Sequence, residues 1–162
     1  MLKADFRSEI SNSYEQKAKS CLTCDVQGSC CLDAHFVNVH ISRLEAVAIT
    51  KTLDSLPEEK REAVYIRARE VIKKYDLKPT GNTYEQTFAC PLFEKGTGCL
   101  VHSTAKPLPC ITHACYENPG DLPPDELLAE MELQVEELNV KTSGKRQPWL
   151  PLPLAVVSVA RP

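Results

Sequence analysis

Eight cysteines in two groups carry the clearest chemical signal in the chain. Four fall within eleven residues, Cys21-Leu22-Thr23-Cys24-Asp25-Val26-Gln27-Gly28-Ser29-Cys30-Cys31, and four more, Cys90, Cys99, Cys110 and Cys115, occupy a second region. Thiolate is the ligating form of cysteine, and several thiolates brought together without a cation are opposed by mutual repulsion and desolvation. A metal removes that objection. Cys21-x-x-Cys24 lets two sulfurs reach one ion from a tight loop, as in zinc knuckles and iron–sulfur sites. All eight cysteines are therefore candidate metal ligands, and the two groups are expected to meet on the metal.

The alternatives for these residues are a disulfide framework or scattered buried thiols. The opening Met1-Leu2-Lys3-Ala4-Asp5-Phe6-Arg7 lacks the apolar core of a signal peptide, and no apolar run approaches the roughly 20 residues of a membrane span. The expectation is a cytoplasmic protein with no membrane role, in a compartment where structural disulfides do not persist. A net charge of -3 argues against a nucleic-acid partner, because phosphate binding needs a basic face. With 162 residues, 43% of them hydrophobic, the chain fits one domain over 1–162 with a core of its own.

The simple metal patterns do not fit. A zinc ribbon would show a second C-x-x-C, whereas the later gaps are eight, ten and four residues, and the ferredoxin run is absent. Adjacent Cys30 and Cys31 would point apart in an extended backbone, so they are expected to serve different metals, or one to stand aside. His102 and His113 lie three residues after Cys99 and Cys110, and each could share a metal with its cysteine. A surface or hydrogen-bonded histidine is the preferred reading for both, and more so for His35 and His40.

The elements that must position these residues follow from periodicity. Phe6, Ile10 and Tyr14 predict one amphipathic helix within residues 1–20, and Asp25, Gly28 and Ser29 predict a loop through the first cysteines. Alternation over Phe36–Ile41 predicts a short strand. Ser42 with Glu45 has capping-box spacing and opens a helix to about Leu53, with Leu44, Val47, Ala48, Ile49 and Leu53 inside. Ser55 with Glu58, and Pro57 between, predicts a second boxed helix that buries Val64, Ala68, Val71, Ile72 and Tyr75 in an antiparallel hairpin with the first.

Lys95-Gly96-Thr97-Gly98 predicts a β-hairpin between Pro91–Glu94 and Cys99–His102, and Pro107 and Pro109 restrain Cys110 before a short helical turn. A helix over about 124–140 buries Leu128, Met131, Val135 and Leu138 and exposes an acidic face. The Pro/Leu-rich tail, about 145–162, is expected to lie extended across the domain or to hold a protein partner. The fold class is mainly α (α+β), three to four helices with a small β-hairpin around an irregular cysteine-rich metal site.

The order Cys21-x-x-Cys24, Cys30-Cys31, Cys90-Pro91-Leu92-Phe93, Cys99-Leu100-Val101-His102 and Lys106-Pro107-x-x-Cys110 resembles the CxxCxxxCC-type family of zinc- or iron-chelating proteins, the YkgJ-like cysteine-cluster proteins, over about residues 21–113. The chain departs from that pattern in a longer gap before the double cysteine, in His102 where the family has Tyr, and in Lys106 where it has Arg. Cys115 lies outside it. The family is similar to the cysteine-rich part of flagellin lysine N-methylases, which carry an iron–sulfur cluster. The resemblance thus implies a 4Fe–4S centre beside zinc as the expected cofactor, thiolate-rich sites suiting both.

The functional expectation is a metal-binding protein with a structural, redox or metal-handling role. Its competitors are a methyltransferase-like enzyme, for which no glycine-rich strand-to-helix turn is present, a dithiol redox protein using Cys21 and Cys24, and a zinc-stapled interaction module.

Overall fold

Among the described residues, apolar periodicity gives the chain its four long helices where the sequence predicts them, a short one on the predicted turn after Pro107, and two short ones that it conceals. The computed structural model describes residues 2–19, 24–34 and 37–160. Helix α1, Leu2–Ser13, buries Phe6 and Ile10. It stops short of the predicted end because Tyr14 leaves helical geometry (φ -128°); a 3₁₀ turn, Glu15–Lys17, leads into strand β1, Ala18–Lys19. After α2, Ser29–Leu32, the predicted strand over Phe36–Ile41 is reduced to β2, His40–Ile41, with Phe36 outside the described residues.

Helix α3, Arg43–Asp54, starts on the predicted capping box: the Ser42 hydroxyl accepts from the Glu45 N–H, and the Glu45 carboxylate accepts from the Ser42 N–H, both at 3.3 Å. The second predicted box does not form. Ser55 is consumed in closing α3, its N–H donating to the Thr52 and Leu53 carbonyls, so Pro57 takes the N-cap of α4, Glu58–Lys74.

Two-residue ladders follow from β3, Phe93–Glu94, and β4, Gly98–Cys99, then α5, Leu108–Thr112, and β5, Cys115–Tyr116. Helix α6, Asp125–Ser143, ends on Gly144 in the left-handed region (φ 75°), a position glycine occupies without a Cβ clash. The tail then corrects the sequence expectation. Instead of lying extended, it pairs β6, Leu150–Pro151, with β2 and turns into α7, Leu152–Val159. Pro151 caps this helix and Pro153 lies in its first turn, where a proline's missing N–H has no intrahelical partner to lose. The tail's Leu152, Pro153, Ala155 and Val156 are buried, so it lies across the domain as expected, but as a helix.

That helix packs against both α3 and α4, and the predicted α4 face holds, with Val71, Ile72 and Tyr75 packed against the core beside Val64 and Ala68. In α3, Glu45, Ala46, Ile49, Thr50 and Leu53 are buried while Ala48 is exposed; in α4, Tyr65 joins Val64 and Ala68. In α6, Met131, Val135 and Asn139 are buried and Leu138 is exposed. Among the described residues no helix is long and apolar enough to cross a membrane.

Two apolar cores result. The larger gathers Ile41, Ile49, Leu53, Val64, Phe88, Leu92, Val101, Leu152 and Val156 from α3, α4, α7 and the connecting loops, with Cys90 and Cys99 packed against it. The smaller joins Phe6 and Ile10 of α1, Leu108 and Ile111 of α5, and Met131 and Val135 of α6. Glu45, only 2% exposed, bridges them. Its carboxylate Oε1 accepts from the Leu108 N–H of α5 and from Lys3 Nζ of α1, each at 3.0 Å, while Oε2 serves the α3 cap. Glu45→Ala should therefore destabilise the protein by about 2–4 kcal/mol, because it strands two backbone N–H groups and a half-buried ammonium. Urea denaturation of the two proteins measures this; a loss within about 0.5 kcal/mol, the ordinary surface value, would contradict the bridge.

A candidate thiolate centre

Each cysteine of the second group is placed by a different local device. The hairpin pairs Phe93 with Cys99 and Glu94 with Gly98, as its glycine-containing turn predicts, and sets Cys99 on the second strand with Cys90 just ahead of the first. Pro107 caps α5 and Pro109 enters its first turn, fixing the backbone around Cys110. Cys115 sits in β5, paired opposite Lys19 of β1.

The first group departs from the expected loop. Residues 25–28 turn, but Gly28 (φ 82°) starts the single helical turn of α2, with the Cys31 and Leu32 N–H groups donating to the Gly28 carbonyl at 2.9 and 3.1 Å. The expectation that Cys30 and Cys31 diverge fails with it. Helical neighbours are separated by about 100° around the axis rather than by the opposition of a strand, and Cys30 is near enough to raise the Cys31 pKa.

Three contacts bring the groups together. The Cys90 N–H donates to the Cys31 carbonyl at 2.8 Å. β1 pairs with β5, which ties the chain just before the first group to Cys115. The Phe93 ring lies on Gly28 so closely that a Cβ there would be 1.9 Å from the ring's Cζ, and only glycine combines that proximity with the positive φ.

The outcome is a neighbourhood of sulfur. Burial first, then the nearby Cys30 and Cys90, push the Cys31 thiol up to about 12, and Cys99 adds to this. Burial likewise pushes Cys90 up to about 12 with a contribution from Cys99, and raises Cys110 well above the ordinary range with contributions from Cys90, Cys99 and Cys31. Burial also raises Cys99. Other groups favour the thiolate forms: backbone N–H groups of Leu92 and Phe93 toward Cys90 and of Val101 toward Cys99, with the charges of Arg67 at Cys90, Arg7 and Lys106 at Cys99, and Lys106 at Cys110.

Cys31, Cys90, Cys99 and Cys110 thus share one electrostatic environment with Cys30 at its edge. They are not drawn into ligand spacing: among the described residues, no three Cys, His, Asp or Glu side chains stand close enough to hold an ion. Cys24 and Cys115 are exposed, the seven described cysteines are free thiols, and Cys21 lies outside the described residues.

The histidines divide differently. His102 and His113 are exposed, and His35 is outside the described residues. Burial lowers the pKa of His102, and Lys106 and Arg7 lower it further. His40 is 4% exposed, stacked on Tyr84 with ring centroids 4.2 Å apart, and its Nδ1 lies 2.6 Å from the Asn38 carbonyl, which makes it a packed core histidine. It lines an open cleft of about 850 Å³ with Trp149, Leu128 and Glu132, a cleft whose lining contains no cysteine.

Sequence reasoning missed Arg7 and Arg67. Each lies on a helix remote in sequence from the cysteine it faces, and no spacing rule connects them. No protein-family model, curated protein or solved structure matches the chain.

The burial pattern predicts an order of thiol reactivity. In metal-free protein at about pH 8, iodoacetamide should modify exposed Cys24 and Cys115 first, because the raised pKa values of Cys31 and Cys90 leave little nucleophilic thiolate. Labelling of Cys31 and Cys90 should then rise about tenfold per pH unit below their folded values. Site-resolved mass spectrometry reads this order; equal rates at Cys24 and Cys90 would contradict it.

Proposed function

We propose that the protein binds zinc or an iron–sulfur cluster through a cysteine-thiolate centre, with Cys31, Cys90, Cys99 and Cys110 as its principal ligands and Cys21, Cys24 and Cys30 as further donors from the first group. The observation that carries this reading is the convergence of four thiols from α2, the hairpin region and α5 into one environment, where Cys31, Cys90 and Cys99 each raise the pKa of at least one of the other three. The donor set fits the group. It is all sulfur, two of its members face backbone N–H groups as metal-bound thiolates do, and cations stand beside it.

A bound metal supplies the positive charge that lets these thiols deprotonate together. The chain contributes the rest: Cys90 and Cys99 come from the larger core, Cys110 from α5, whose Leu108 and Ile111 lie in the smaller one, and Cys31 from α2. The role supported best is therefore structural, with electron transfer as the added capacity if the centre is a 4Fe–4S cluster. Structural zinc contributes roughly 10–16 kcal/mol of apparent binding free energy, comparable to the roughly 5–15 kcal/mol net stability of a domain, so its removal should loosen the packing of one core on the other.

Anaerobic purification with elemental analysis and an absorption spectrum tests the proposal. Stoichiometric zinc in a colourless protein, or iron with labile sulfide and a broad visible band, is the expected result, with metal lost in Cys90→Ser and Cys110→Ser and retained in Cys115→Ser. A folded protein that takes up neither metal, or a Cys90→Ser variant that keeps the full complement, would overturn it.

A further inference from the structure

Arg67 of α4 is held against the Cys90 loop. Its Nε donates to the Pro91 carbonyl at 3.1 Å, which fixes the guanidinium one residue from Cys90. Its Nη2 is buried and has no hydrogen-bond partner among the described residues. A guanidinium stays charged at any physiological pH, and leaving one of its N–H groups buried and unpaired is unfavourable unless an anion faces it.

Two groups nearby can be anionic. Glu94 is already engaged by Lys60 at 3.3 Å, although it also feels Arg67. Cys90 is the other, the residue next to the Pro91 carbonyl that holds the guanidinium. A second arginine repeats the arrangement: Arg7 Nη1 of α1 donates to the His102 carbonyl, three residues past Cys99. Two guanidinium groups from unrelated helices are thus pinned to backbone carbonyls beside two of the four convergent cysteines.

We propose, resting on the thiolate-centre reading above, that Arg67 together with Arg7 compensates the charge of a dianionic four-thiolate centre, and that Arg67 acts on the metal through Cys90 as a positioning residue. Four thiolates around one zinc ion carry two uncompensated negative charges, and these two guanidinium groups match that excess. Lys106, whose charge reaches Cys99 and Cys110, makes the surroundings more positive still. The arrangement favours the fully deprotonated tetrathiolate over centres with fewer sulfur ligands.

Zinc added alone to reduced, metal-free protein, then competed with a colorimetric chelator, tests this. Arg67→Gln keeps a donor for the Pro91 carbonyl and removes the charge; Arg67→Lys keeps the charge and removes the planar fork. The Gln variant should lose about 10–100-fold in zinc affinity, the usual effect of removing a partner behind the ligands, and the Lys variant should recover most of it. Arg7→Gln should weaken binding in the same direction, which keeps the test decisive should Arg67→Gln fail to fold by circular dichroism. Arg61→Gln on the same helix should bind as wild type.

Wild-type affinity in both Arg67→Gln and Arg7→Gln would overturn the assignment. So would a Lys variant as weak as the Gln variant, which would make Arg67 an anchor for Pro91 rather than a charge. A wild-type protein that binds no zinc would overturn this assignment, and one that also carries no iron with labile sulfide when purified anaerobically would sink the underlying reading.

Discussion

The carboxylate of Glu45 ties the two cores together, and the placement of Cys110 relative to Cys90 and Cys99 depends on it. A buried carboxylate must have its lone pairs satisfied, and here the satisfying groups come from three helices: the Ser42 N–H at the start of α3, the Leu108 N–H at the start of α5, and Lys3 of α1. That requirement fixes where α5 begins relative to α3. Since α5 carries Cys110 and the larger core carries Cys90 and Cys99, the same bonds set the distance over which the sulfurs can gather. Burial raises the pKa of Glu132 on α6, and the negative charge of Glu45 adds to it, so α6 also feels the group that anchors α1 and α5.

The sulfurs then face opposing demands. Protonated, they are small, weakly polar side chains that pack against the larger core without penalty. Deprotonated, they repel one another in a partly dry environment and require a cation. Backbone N–H groups toward Cys90 and Cys99, and arginines pinned near each, favour the second state. A merely apolar cluster would need neither. This contrast is what supports the proposal of a ligating centre over a chance gathering of half-buried thiols.

What the sequence made legible was local. The Ser42–Glu45 box, the glycine turn of the β3–β4 hairpin and the prolines around Cys110 are each decided within a few residues, and each formed as expected. What it concealed was set by tertiary contacts. Ser55 and Glu58 have the spacing of a box, but closing α3 used Ser55 first. The tail reads as an extended Pro/Leu strand, yet α3 and α4 offer it an apolar surface that an eight-residue helix covers. Gly28 holds a left-handed conformation that converts an apparent loop into the turn of α2, which carries Cys30 and Cys31. The convergence of four thiols was expected from their clustering alone, whereas Arg67, 23 positions before Cys90, has no signature in the linear chain.

The central claim is that these sulfurs, rather than histidine or carboxylate groups, bind the metal. X-ray absorption at the zinc or iron edge of protein purified without oxygen measures this most directly, because the fine structure reports the kind and number of nearest neighbours. The account predicts a first shell of about four sulfurs near 2.3 Å. A shell dominated by nitrogen or oxygen near about 2.0 Å would contradict it.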